Sequence, residues 1–245
     1  MKKAYEIEIK WQADHVKRHE FLDFMTQQIK KAGTTQWQYI TVFGPDYYWK
    51  TDDSWVDEAL SQALEKSELL SLATAVDENA LIDTQKKKAI EIFKSMMPVS
   101  VLRNRVSEDS NELTAKARLG DRHIIVRQEE NVPIDSEHVK QRDIDNLIHL
   151  IGMKKTVTIK KDCDIFTIKT DDGAKVDAVW YETFVKGFDN RVFIEVEVSG
   201  VSEDLALEIL TRWKNQLRFH LKLTDNLISD QSLYEIFTGE SYKRV

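Results

Sequence analysis

Apolar and polar residues alternate with period two along much of this chain, and period two is the mark of a β-strand. The first case is 5–11, where Tyr5, Ile7, Ile9 and Trp11 take one face and Glu6, Glu8 and Lys10 the other. Short alternating segments recur at 36–43, 99–106, 112–119, 123–131, 156–168, 175–184 and 191–198. The segment 36–43 is rich in aromatic and β-branched residues. Gly44-Pro45 is a breaker, so this strand is expected to end at 43, with an extended segment resuming over 46–49. Asp171-Asp172-Gly173 reads as a hairpin turn.

Helical spacing appears at 13–32, where Val16, Phe21, Leu22, Phe24, Met25 and Ile29 line one face and Gly33 ends the run. Further helices are expected at 143–151, closed by Gly152, and at 202–219 and 232–237. Between 52 and 97 the texture changes. Trp55, Val56, Leu60, Leu64, Leu69 and Leu70, then Ala89, Ile90, Ile92 and Phe93, predict two or three amphipathic helices. They interrupt a succession of strands, so 52–97 is expected to be an insertion within a single domain of 1–245.

The polar faces of the strands are charged, and the signs are sorted. Glu6 and Glu8 share a face about 7 Å apart, from a rise of ~3.3 Å per residue. Glu195 and Glu197 repeat that pair near the other end of the strand region. Between them lie Arg103 with Arg105, Lys116 with Arg118, Arg127 with Glu129, then Lys161 and Asp177. One reading is an antiparallel sheet with a solvated, salt-bridged face. The other is a closed sheet whose apolar faces meet helices outside and whose charged faces meet inside. In that case a divalent cation for the carboxylates and a polyanion for the cations would complete the charge balance.

Composition narrows the class. The 245 residues are 42% hydrophobic and 31% charged, which suits a soluble globular protein large enough for a full core. No apolar run reaches the ~18 residues a transmembrane helix needs, and the first residues carry no apolar signal core. A cytoplasmic location without a membrane partner is the expectation. A single cysteine, Cys163, excludes an internal disulfide and a cysteine-based metal cluster. The net charge of −7 argues against a surface coated with nucleic acid, while leaving room for a local basic lining. The six Trp are expected in the core. His123, His149 and His220 have no ligand spacing, and Lys86-Lys87-Lys88 reads as a solvated helix face.

In this order the motifs resemble the CYTH superfamily, also called triphosphate tunnel metalloenzymes. The family's Glu-x-Glu-x-Lys strand is matched by Glu6 to Lys10, its Leu-Arg-x-Arg strand by Leu102 to Arg105, and its Leu-Thr-x-Lys strand by Leu113 to Lys116. Arg127-Gln128-Glu129 is similar to its Arg-x-Glu, Val176 to Val179 to its Val/Leu-Asp-x-Val, and Glu195 to Glu197 to its second Glu-x-Glu. Its helix ending in Leu-Gly before a lysine strand resembles Leu147 to Gly152 with Lys161, and its terminal Ser-Tyr helix resembles Ser232 to Tyr234. The chain departs from the pattern at Cys163, where an arginine is usual, and at Lys50, where the Asp46-Tyr47-Tyr48-Trp49-Lys50 segment usually ends in an acid. It departs again in the length of 52–97.

The resemblance implies an α+β fold: an eight-stranded antiparallel β-barrel forming a tunnel with a charged lumen, flanked by helices, plus the helical insertion. It implies Mg²⁺ or Mn²⁺ and a nucleotide-binding, triphosphatase-type hydrolase. The substrate would be inorganic triphosphate, a nucleoside triphosphate or an RNA 5′ end. Glu6, Glu8, Glu129, Asp177, Glu195 and Glu197 would hold metal, with ion pairing as the other role for Glu129 and Asp177. Arg103, Arg105, Lys116, Arg118, Arg127 and Lys161 would bind phosphate. Glu6, Glu8, Lys10, Glu195 and Glu197 would form the catalytic set. A class IV-type adenylyl cyclase and a non-catalytic module binding a phosphorylated ligand remain the alternatives. The 52–97 block is left open as a lid, a homodimer surface or an RNA-docking element.

Overall fold

The computed structural model describes residues 5–32, 36–51, 101–107, 111–119, 125–134 and 153–240, with positions 141, 142, 145 and 148. The block at 52–97, the tract Lys86-Lys87-Lys88, and His123 and His149 lie outside the described residues. The strands are β1 (Tyr5–Gln12), β2 (Trp37–Thr51), β3 (Val101–Val106), β4 (Asn111–Leu119), β5 (Ile125–Ile134), β6 (Met153–Lys169), β7 (Lys175–Phe184) and β8 (Arg191–Ser199). The helices are α1 (Arg18–Ala32), α2 (Glu203–Leu221) and α3 (Leu233–Thr238). Positions 141, 142, 145 and 148 are also helical, in the region where 143–151 is expected to be.

Every strand pair is antiparallel, in the order β1-β5-β4-β3-β2-β6-β7-β8. β1 pairs with β8 along one edge and with β5 along the other, so the sheet returns on itself as a barrel. The hairpin β6–β7 turns at Gly173, whose φ of +88° suits a residue without Cβ.

The period-two pattern decides which face meets which neighbour. Ile7, Ile9 and Trp11 of β1, Val176, Ala178 and Trp180 of β7, and Ile194, Val196 and Val198 of β8 point outward. There they pack against Phe21, Phe24 and Met25 of α1 and Ile209, Leu210 and Leu217 of α2. Each large apolar side chain buried this way contributes about 1.5–3 kcal/mol. Trp180 Nε1 donates to the Val16 carbonyl at 3.1 Å, so its polar atom is not stranded. The start of α1 is held by Arg18, whose Nε lies 2.6 Å from Asp164 Oδ2, while Tyr39 donates to the other oxygen of Asp164 at 2.6 Å.

The inner face is not charged throughout, as the alternation alone predicts. Toward one end it carries Tyr48, Val101, Ile159, Cys163, Tyr181 and Phe193, each on the same strand face as a charged residue further along. Leu233, Tyr234 and Phe237 of α3 join this cluster, so the short helix fills that end of the barrel. A capping box makes six residues enough: Ser232 accepts from the Glu235 N–H, and Glu235 accepts from the Ser232 N–H at 2.8 Å.

Of the boundaries that differ from the sequence pattern, α1 begins at Arg18 rather than 13, β5 extends to Ile134 rather than 131, and three more have a clear physical reason. β2 runs unbroken through Gly44-Pro45. The β6 ladder bonds alternate residues, beginning with Gln36, whose carbonyl accepts from Lys169 N–H. Pro45 falls between them, one residue before the β3 ladder starts at Asp46, so its missing N–H costs no bond. β6 begins at Met153 rather than 156, where it pairs with the prolonged end of β2. α2 continues to Leu221 because Leu217 and Leu221 are still buried against the sheet. Among the described residues no helix is long and apolar enough to cross a membrane.

At Gly44 the backbone of β2 lies close against the end of β3. A Cβ built there would lie 2.0 Å from the backbone oxygen of Val106. Gly44→Ala is therefore expected to push β2 and β3 apart and to cost about 1–3 kcal/mol. Chemical denaturation of the two proteins measures this.

Candidate metal and anion site

Register brings the two Glu-x-Glu strands side by side. On β1 and β8, Glu8 stands opposite Glu197 and Lys10 opposite Glu195. Glu8, Glu195 and Glu197 each offer a carboxylate oxygen, and these atoms lie within 4.8 Å of one another. Glu8 is 3% exposed and Lys10 1%, with Lys10 Nζ 3.7 Å from Glu8 Oε1. Tyr181 donates to Glu195 Oε2 at 3.0 Å. Burial first, then the charges of Glu195 and Glu8, pushes the Tyr181 hydroxyl well above its ordinary range, so it stays a donor.

Carboxylates gathered this closely, with one of them buried, repel unless a cation is shared. An all-oxygen donor set suits a hard divalent ion such as Mg²⁺ or Mn²⁺. The residues present therefore fit a divalent cation, which Glu8, Glu195 and Glu197 could hold beside Lys10.

The cations collect from β3 and β6 around an acid on β2 that the motifs left without a role. Asp46 is 1% exposed. Its Oδ2 lies 2.5 Å from Lys161 Nζ, and Arg105 grips both its oxygens, Nε to Oδ1 at 3.0 Å and Nη2 to Oδ2 at 3.3 Å. Burial alone would raise the Asp46 carboxyl, but Arg105, Lys161 and Arg103 together hold it far below the usual carboxylate range. Lys161 is lowered, by burial first and then by Arg105. Arg103 Nη2 donates to Thr114 Oγ1 at 3.0 Å and reaches Glu112 Oε1 at 3.5 Å. Lys161 Nζ also lies 5.7 Å from the Tyr181 ring, so Tyr181 links the cations to the glutamates.

The structure thus brings together Glu8, Lys10, Glu195 and Glu197 in one cluster and Arg105 and Lys161 in another, with Arg103 beside the latter. Asp177 stands opposite Glu197 in register, but its carboxylate is taken by Thr167 at 2.6 Å and Lys175 at 2.6 Å. For Glu6, Lys116, Arg118, Arg127 and Glu129 only backbone register is described: Glu6 pairs with Arg127, Arg118 with Arg127, and Lys116 with Glu129. Their side chains lie outside the described residues.

Sequence reasoning missed Asp46 as a site residue. The available signal was parity: Asp46 shares a strand face with Tyr48 and sits beside Arg105 once β2 and β3 pair. Cys163, where an arginine is usual, faces the same cluster. Burial pushes its thiol up to about 11, so near neutrality it adds no charge. Trp37 also departs from expectation, being 46% exposed.

Asp46→Asn would leave Lys161, which is mostly buried, and half-buried Arg105 without their acid. The loss is expected to be about 3 kcal/mol, at the low end for a broken buried pair because Arg105 keeps 34% of its side chain exposed. The parent's Asp46 carboxyl is depressed, so its stabilisation is complete above about pH 4 and is lost as pH falls below that. The variant should lack that acid-side decline. Denaturant unfolding of both proteins across acidic pH reads the two slopes.

No protein-family model matches this chain, and no curated protein matches it in sequence. Among solved structures it is similar to the mimivirus capping-enzyme triphosphatase, at 10% identity and a TM-score of 0.40, over 87% of this chain and 88% of that one. It is also similar to the S. pombe Pct1 RNA triphosphatase in complex with the Spt5 CTD, at 12% identity and a TM-score of 0.37, over 91% of this chain and 82% of that one. Likenesses of this depth assign neither a family nor an activity.

Proposed function

We propose that this chain is a divalent-metal-dependent triphosphatase of the tunnel type, acting on inorganic triphosphate, a nucleoside triphosphate or an RNA 5′-triphosphate. One observation carries the reading. Inside one barrel, three glutamates with mutually close oxygens sit on β1 and β8, while cations from β3 and β6 cluster about Asp46 of β2. A phosphate chain bridging a metal to guanidinium and ammonium groups needs that division of charge.

Glu8, Glu195 and Glu197 would hold Mg²⁺ or Mn²⁺, with Glu6, Glu129 and Asp177 as further candidates. Bound there, the ion would supply Lewis-acid polarisation and a lowered water pKa. Arg103, Arg105 and Lys161 would bind phosphoryl oxygens and offset the charge that spreads over them during transfer, joined by Lys116, Arg118 and Arg127. Lys10, beside Glu8, would keep the glutamates ionised and approach the end of the phosphate chain. A glutamate released from an ion contact can accept the proton of the attacking water.

Asp46 fits this reading as a positioning residue. It holds Arg105 and Lys161 charged and in place before an anion arrives. The incoming phosphate then competes with a carboxylate for cations already oriented, so less side-chain entropy is lost on binding.

The test is a panel of tripolyphosphate, ATP, thiamine triphosphate and 5′-triphosphate RNA with Mg²⁺ or Mn²⁺. Phosphate, pyrophosphate and cyclic AMP are read separately. Glu8→Gln, Glu195→Gln and Glu197→Gln are each expected to lower kcat by roughly 10²-fold or more, the scale of lost electrostatic stabilisation. Arg105→Ala and Lys161→Ala are expected to raise KM as well. If the glutamate variants all keep the parent's activity, the metal assignment is wrong. Cyclic AMP with pyrophosphate, in place of phosphate release, would mean a cyclase.

A further inference from the structure

Among the described residues, one strand edge of the barrel is left without a paired strand. β2 is bonded to β6 from Trp37 to Thr51, but β3 covers its other edge only from Asp46 to Trp49. Among the described residues no strand pairs with the edge from Trp37 to Phe43. Trp37 is 46% exposed, Tyr39 39%, Ile40 41% and Phe43 61%. Gln36 directs its carbonyl to β6, so by the antiparallel alternation Trp37, Tyr39, Thr41 and Phe43 direct their N–H and C=O groups to the open side.

Edges of this kind are usually blunted by charge, proline or a bulge. Here 31% of the chain is charged, yet the sequence from Gly33 to Pro45 contains no charged residue. Pro45 stands at the end of the run, and the β2–β6 irregularity falls later, between Tyr48 and Trp49.

We propose that this edge pairs antiparallel with the same edge of a second copy, about a two-fold axis at Ile40. That register sets Trp37 opposite Phe43 of the second copy and Tyr39 opposite Thr41, which are aromatic–aromatic and aromatic–β-branched pairs. Ile40 faces its own counterpart across the axis. An isologous contact brings each residue near its copy, so a charge close to the axis would meet the same charge, and the uncharged run avoids this. The backbone groups of Trp37, Tyr39, Thr41 and Phe43 satisfy one another across the axis. Ile40 then falls at a non-hydrogen-bonded position, where Cα atoms are ~4.5 Å apart.

The measurement is mass by light scattering over a concentration series of the full chain. The parent should move toward twice its 28.6 kDa with concentration. Ile40→Lys, which sets two ammonium groups face to face at an already exposed position, should remain at the monomer mass. Its circular dichroism and thermal transition should match the parent's dilute form. Ile40→Cys should give a disulfide-linked dimer on mild oxidation, because the spacing at the axis is within disulfide reach. Gln38→Cys, which faces Val42 in this register, should not, and buried Cys163 should give none in the parent. A parent that stays monomeric throughout overturns the proposal, even if its edge takes up an added extended peptide. So does a dimer that survives Ile40→Lys, or one that cross-links through Gln38→Cys in preference to Ile40→Cys.

Discussion

A charge taken out of water must meet an opposite charge, and inside this barrel that rule decides which strand stands where. Asp46 is the clearest instance. It is almost fully buried, and Arg105 from β3 and Lys161 from β6 converge on it from the two strands that flank β2. A slip of one residue in either pairing would turn the arginine or the lysine to the outer, apolar side and leave the carboxylate with one cation instead of two. The register of β2 is therefore fixed by charge within the barrel as much as by packing outside it.

The outer surface of the sheet makes that arrangement affordable. In small barrels apolar side chains usually fill the interior. Here α1 and α2 lie against the outside and take Ile7, Ile9, Trp11, Val196 and Val198. The main hydrophobic contribution is thus moved outside, and half of every strand is released for polar use. The interior keeps an apolar part of its own, where α3 packs among Tyr48, Ile159, Tyr181 and Phe193. That packing excludes water beside the Asp46 cluster and strengthens its ion pairs relative to surface ones.

Strands were legible because period two is a local property. The pairing of Glu6-Ile7-Glu8 with a second Glu-x-Glu was legible as a repeat of parity, and register then set Glu8 opposite Glu197. What was not legible was position along the barrel axis. Phe193 and Glu195 share a face, yet one meets α3 and the other meets Tyr181. Alternation assigns a face and says nothing about depth, so the apolar end went unseen. Asp46 was missed for a related reason. A lone acid opening the extended segment at 46–49 has no visible partner until both neighbouring strands are known. The breaker itself misled because Pro45 falls at a position with no ladder bond to lose.

The apolar cluster and the cation cluster overlap. On β6, Lys161 stands between Ile159 and Cys163, two members of the cluster that α3 joins. On β2, Asp46 shares a strand face with Tyr48 and pairs in register with Ile159. The cations are therefore set into apolar surroundings, where water cannot stabilise them, and the neighbouring carboxylate takes over that role. The same surroundings make each of these ion pairs stronger than a solvated one, so the packing of α3 and the charge of Asp46 support one another.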